Sequence, residues 1–145
     1  MKVSTGLNAA IISGGSWLTA LDDGVLRIYS GDVPASADAA IGSAVLLCEV
    51  SLGGTGAGLP LEADGTTIRK VPTDAWSGTN VATGQASFFR HVQGADDGRA
   101  STTAIRIQGT VGLTWDSNMT LVETALTLGE STPINSFYLD FPTQA

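Results

Sequence analysis

Ile105-Arg106-Ile107-Gln108-Gly109-Thr110-Val111 alternates with a period of two: Ile105, Ile107, Gly109 and Val111 share one side, Arg106, Gln108 and Thr110 the other. Successive side chains of an extended chain point to opposite faces, so this pattern predicts a strand with one face in a core and the other in water. Working outward, Gly24-Val25-Leu26-Arg27-Ile28-Tyr29-Ser30-Gly31 brackets β-branched, aromatic and aliphatic residues between two glycines. It reads as a second strand, stopped by Pro34 and the Ala/Ser/Asp run behind it.

The same signals place strands at 25–30, 44–52, 66–71, 85–91, 104–113, 119–121, 125–128 and 133–141, each bounded by Gly, Pro, Asn or Asp. Parallel pairing needs crossovers of a dozen or more residues, usually helical, and no such segments lie between these strands. The expected fold is therefore all-β, an antiparallel β-sandwich or jelly roll over residues 24–145. Residues 1–23 form a short helical N-terminal arm: Leu7, Ile11, Leu18 and Leu21 fall near one stripe, with Ser4 or Thr5 as a first cap. Gly14-Gly15 divides the arm into two short helices, the second capped by Ser16.

At 145 residues the chain has the length of one domain. Seven Lys and Arg against 14 Asp and Glu leave a net charge of −7, the wrong sign for neutralising phosphates, so a nucleic-acid partner is excluded. The single cysteine, Cys48, rules out an internal disulfide, and Val45-Leu46-Leu47-Cys48-Glu49-Val50 reads as a buried strand in which the thiol acts as a small hydrophobe. No apolar stretch approaches the roughly 20 residues that cross a bilayer, and no signal-peptide core precedes Asp22-Asp23. A soluble protein with no membrane partner is expected.

Motifs for chemistry are thin. Gly54-Thr55-Gly56-Ala57-Gly58 lacks the lysine and the following helix of a phosphate loop and reads as an exposed, adaptable loop. Asp22-Asp23, Asp64-Gly65 and Asp96-Asp97 lack the alternating oxygen ligands of a calcium loop and read as turns. His91 is the only histidine; Ser87 sits too near it on one strand for a triad, and one His with one Cys falls short of a zinc site. No enzyme, cofactor or metal is expected. Among the three tryptophans, Trp115 is assigned to the core, and Trp76, in the loop 72–84, is balanced between core and interface.

Several segments carry a resemblance. Leu26-Arg27-Ile28-Tyr29-Ser30-Gly31-Asp32-Val33-Pro34-Ala35-Ser36-Ala37-Asp38-Ala39-Ala40, Ala86-Ser87-Phe88-Phe89-Arg90, Ile107-Gln108-Gly109-Thr110-Val111-Gly112 and Pro133-Ile134-Asn135-Ser136-Phe137 resemble small virion proteins of tailed bacteriophages. They are most similar to capsid cement or decoration proteins with a jelly-roll fold, of the type seen in a Bordetella phage; the stretch 62–84 departs from that pattern. The resemblance implies a structural protein on the outer surface of an icosahedral head, made in the bacterial cytoplasm. There it would bridge neighbouring major capsid proteins as a homodimer at two-fold positions. The contacts are placed on Leu7, Ile11 and Trp17 of the arm, on an exposed strand edge and on Trp76. Two other classes stand beside this one. One is a tail-fibre or adhesion-type carbohydrate-binding β-sandwich that stacks sugars on Trp76, Tyr29 or Tyr138; the other is a head-tail or tail structural protein.

Overall fold

The structure, a computed structural model, describes residues 1–140. In chain order its elements are β1 (Lys2–Val3), α1 (Thr5–Ile12), α2 (Trp17–Leu21), β2 (Gly24–Ser30), β3 (Val45–Leu52), β4 (Leu61–Asp64), β5 (Thr67–Lys70), β6 (Trp76–Thr79), β7 (Gly84–Gln93), β8 (Arg106–Gly112), β9 (Met119–Thr120), β10 (Ala125–Leu126), β11 (Ser131–Ile134) and β12 (Tyr138–Asp140). The fold is an all-β sandwich with a short helical N-terminal segment, as the sequence predicts.

The large sheet runs β1-β8-β7-β2-β3-β6-β11, with β10 on β7 and β9 on β8; β12-β5-β4 form the small one. Every pairing is antiparallel except β8 with β9. The two sheets enclose a core in which Leu26, Ile28, Phe89 and Ile107 of the large sheet meet Ile68 and Leu139 of the small one. Phe137 joins them, packing at 5.7 Å on Trp76, 5.9 Å on Phe89 and 6.5 Å on His91. Gly109 sits where a Cβ would crowd the Phe89 ring, which explains a glycine on the apolar face of β8.

The N-terminal segment is stitched into this core. Ser4 is the N-cap of α1: its Oγ accepts the Leu7 N–H at 3.1 Å and the Arg106 N–H at 2.9 Å and donates to the Ala104 carbonyl at 2.7 Å. Gly14, at φ +103°, turns the chain out of α1, and Ser16 caps α2 by accepting from the Thr19 N–H. Leu7 and Leu21 are fully buried beneath the two helices.

Several expectations are corrected. The polar face of β8 is not wet: Arg106 and Gln108 are each 1 % exposed, and only Thr110 reaches solvent. Segments 31–44 and 94–105 lie over that face and bond its side chains through main-chain carbonyls, so the expected half-exposed sheet is covered on both sides here. The irregular stretch 53–65 ends in β4, which joins β5 through a turn with Gly65 at φ +63°. The loop 72–84 contains β6, where Gly78 has replaced any side chain because a Cβ would collide with the Glu49 carbonyl. The expected strand 133–141 is two strands in different sheets, β11 and β12, separated by residues 135–137, and its last residue lies outside the described residues.

Candidate functional site

Under segments 31–44 and 94–105 lies a buried arginine network. Arg27, Arg90 and Gln108 stand side by side across β2, β7 and β8 in the register Arg27↔Arg90↔Gln108. Arg90 Nε donates to Gln108 Oε1 at 2.9 Å, and its Nη2 donates to the carbonyls of Ser36 and Ala39. Arg27 donates to Glu49 and to the carbonyls of Gly94 and Asp96. Arg106 grips Asp96 with Nε and Nη2 and reaches the carbonyls of Ala37 and Arg99. Burial works to raise the Asp96 carboxyl, but Arg106 and the Gly98 N–H outweigh it and hold the group below its ordinary value. A guanidinium has five donors in a fixed fork, which is why three arginines can pin two irregular segments to a sheet. The network is occupied with holding the fold, except at Arg90 Nη1, which is buried with no hydrogen-bond partner among the described residues.

The other titratable groups are equally enclosed. His91 is fully buried with no partner on either ring nitrogen, and burial pulls its pKa down to about 4, so it is a neutral, apolar-packed imidazole at pH 7. Burial pushes the Cys48 thiol up to about 11, which keeps it protonated and inert. Among the described residues no group of three or more His, Cys, Asp and Glu is placed to hold a metal ion.

The residues assigned to partner contacts divide. Leu7 is 0 % exposed and Trp76 is 2 % exposed, on strand β6 and not on a loop, so neither side chain reaches the surface. Leu7 is swallowed because α1 docks through it, and Trp76 because alternate residues of β6 face Phe137. Ile11 and Trp17 are half-buried against the core margin. Tyr29 is buried, stacked on Phe88 at 4.9 Å. Tyr138 alone of the candidate sugar-stacking aromatics stands out, 56 % exposed.

Trp115, assigned to the core, is 92 % exposed. It rides the tip of the turn between β8 and β9, where the Thr114 carbonyl accepts both the N–H and Oγ of Ser117. Asn118 Oδ1 ties that turn back by accepting the Thr110 N–H at 3.0 Å. The signal was present in the sequence: Trp115-Asp116-Ser117-Asn118 is turn chemistry, which puts an aromatic at a loop tip.

Trp115 and Tyr138 line one cleft of about 570 Å3 with Met1, Asn118, Thr120, Phe137 and Asp140. A second depression continues from it through Thr120 and Ser136 to Leu113, Val122 and Pro133, and a third runs on past Val122 to Leu126 and Glu123. Leu113 and Val122, 61 % and 74 % exposed, set apolar side chains along a groove that Thr120, Asn135 and Ser136 make partly polar. Exposed apolar side chains gathered with polar groups along one groove make it the candidate interaction site.

Its charge setting is one-sided. Arg90, Arg106 and Lys70 are buried, Arg27 is nearly so, and Arg69 is held by Glu62 and Asp64. Arg99 is exposed beside Asp97, and Lys2 donates to the Ala35 carbonyl, against a surface that carries most of the acids, so the exterior is anionic. No protein-family model, curated protein or solved structure matches the chain.

Proposed function

We propose that the chain is a structural virion protein that binds the outer surface of an icosahedral phage capsid and cements neighbouring major capsid proteins, as a homodimer at two-fold positions. The observation that carries this reading is the open groove running from Trp115 and Tyr138 past Leu113 and Val122, on a β-sandwich whose buried arginines hold its own segments. A protein that binds only the assembled lattice stabilises it by its binding free energy, and many copies multiply the effect, so each contact can be modest. An anionic exterior favours a position facing away from packaged DNA.

The test is the composition of purified heads. Gel densitometry is expected to show this chain in a number approaching that of the major capsid protein; a ring-like dozen copies would make it a connector or tail component, and its absence would end the reading.

A second reading is a carbohydrate-binding β-sandwich. It is favoured by one feature, the pairing of exposed Trp115 and Tyr138 with the polar side chains of Asn118 and Asp140 in a single cleft. Salt-insensitive binding of neutral oligosaccharides would support it.

A further inference from the structure

The cleft beneath Trp115 is walled by two strand edges that have no partner among the described residues. On one side, β9 pairs only with β8, and the Leu121 N–H donates to the Gly112 carbonyl at 3.0 Å. Alternation then turns the N–H and C=O of Thr120 away from β8, toward the cleft. On the other side, β12 pairs only with β5. The Lys70 N–H donates to the Phe137 carbonyl at 2.9 Å, which makes Phe137 and Leu139 the residues that bond β5. By the same alternation, the N–H and C=O of Tyr138 and Asp140 point outward. Both edges line the same cavity.

Of the other one-sided strands, β1 and β10 are two residues long and β4 closes the far side of the small sheet. β11 ends the large sheet, but it carries Pro133, which has no N–H to donate and blunts that edge against pairing. Neither β9 nor β12 contains a proline.

Charge selects the occupant. No Lys or Arg side chain lines the cleft; its charged groups are the Asp140 carboxylate, which accepts from Thr67 Oγ1, and the Met1 amino terminus, and Asp116 beside Trp115 leaves the surroundings anionic. An extended strand laid between the two edges would place alternate side chains against the faces of Trp115 and Tyr138 and beside these carboxylates. Lysine and arginine meet both demands, by cation–π stacking and by ion pairing.

We propose that this cleft is a strand-docking site: it accepts an extended, basic segment of a partner protein, which hydrogen-bonds Thr120 on one side and Tyr138 and Asp140 on the other and joins the two sheets. The inference rests on the binding role proposed above and names the chemistry of the partner segment. Affinity comes from main-chain bonds and specificity from the aromatic and acidic side chains.

The experiment is an NMR titration of the full-length, isotope-labelled chain with a short peptide alternating lysine and valine. Saturable binding is expected, with the amides of Thr120, Tyr138 and Asp140 gaining exchange protection and affinity falling about tenfold as salt rises to about 0.3 M. The glutamate counterpart, and a lysine peptide N-methylated at alternate residues, are expected to bind at least about tenfold more weakly, because one reverses the charge and the other removes the donors. Trp115→Ala and Asp140→Asn, both at exposed positions, are expected to keep the thermal midpoint and lose binding. A chain ending at Asp140 is expected to bind at least as well.

No binding of the lysine peptide, equal binding of the N-methylated peptide, or loss of binding in the shortened chain would each overturn the proposal. So would a neutral oligosaccharide, maltohexaose or an N-acetylglucosamine oligomer, seated in the cleft where the peptide is not. Because the titration uses the isolated chain, its failure removes the docking site alone, and the composition of purified heads still decides the virion reading.

Discussion

Arg106 and Asp96 form a two-pronged ion pair, Nε to Oδ2 at 2.6 Å and Nη2 to Oδ1 at 2.9 Å, with side chains 1 % and 4 % exposed. The pair links β8 to the segment 94–105, and the same guanidinium reaches into the segment 31–44 at Ala37. Removing one partner would strand a charge in a site that water does not reach. Arg106→Met is therefore expected to cost about 3–5 kcal/mol of unfolding free energy in denaturant titration. Arg106→Met combined with Asp96→Leu is expected to recover part of that loss, since no charge is left behind; equal or greater loss in the double variant would contradict this account.

Acid is expected to unfold the protein in two windows. His91, pulled down to about 4 from an ordinary value near 6.5, binds protons in the unfolded state before it can in the folded one, so stability falls as pH drops from about 6.5 toward 4, by on the order of 3 kcal/mol. Asp96, held below its ordinary value, contributes stability that is present above about pH 4 and lost as pH falls further. His91→Leu leaves no hydrogen bond broken, because neither ring nitrogen has a partner, and is expected to flatten the upper window only. Denaturant midpoints measured from pH 7 to 4 check this, and an unchanged slope in the variant would refute it.

Trp76 and Trp115 should behave in opposite ways. Trp76, packed on Phe137, is expected to cost about 3–5 kcal/mol when truncated to Ala. Trp115→Ala at a turn tip is expected to change stability by less than about 0.5 kcal/mol. Intrinsic fluorescence gives an independent check: iodide should quench Trp115 and spare Trp76.

Ser4→Ala would leave the Leu7 and Arg106 N–H groups and the Ala104 carbonyl without the hydroxyl they share. A loss of about 2 kcal/mol or more is expected, larger than for an ordinary helix cap. Deleting residues 1–20 removes Leu7 from the core and is expected to lower the thermal midpoint of the isolated protein, so any change in capsid occupancy must be judged against that loss.

Gly78→Ala tests the close approach of β6 to β3, where a methyl would strike the Glu49 carbonyl and the Cys48 sulfur. A cost of about 3 kcal/mol is expected, measured by denaturant unfolding. Gly56→Ala, in a turn open to solvent at φ +87°, should cost less, about 1 kcal/mol, from its backbone conformation alone.

Much of the fold is local chemistry, and that part is readable along the chain. The alternation of Ile105 to Val111, the glycine-bracketed run 24–31, the caps at Ser4 and Ser16 and the break at Gly14-Gly15 all depend on neighbours a few residues apart, and each element forms where those signals place it. What lies far apart in sequence was decided by tertiary structure. The β8 face bearing Arg106 and Gln108 looks wet until segments 31–44 and 94–105 cover it, a pairing of chain regions up to 74 residues apart that no periodicity reports. Trp115, expected in the core, is exposed, and Trp76, balanced between core and interface, is buried, for the same reason: burial depends on what packs on a residue from elsewhere. The cleft between Thr120 and Tyr138 has the same origin. An unpaired strand edge is a property of the assembled sheets, since only the completed topology determines which main-chain donors and acceptors remain free.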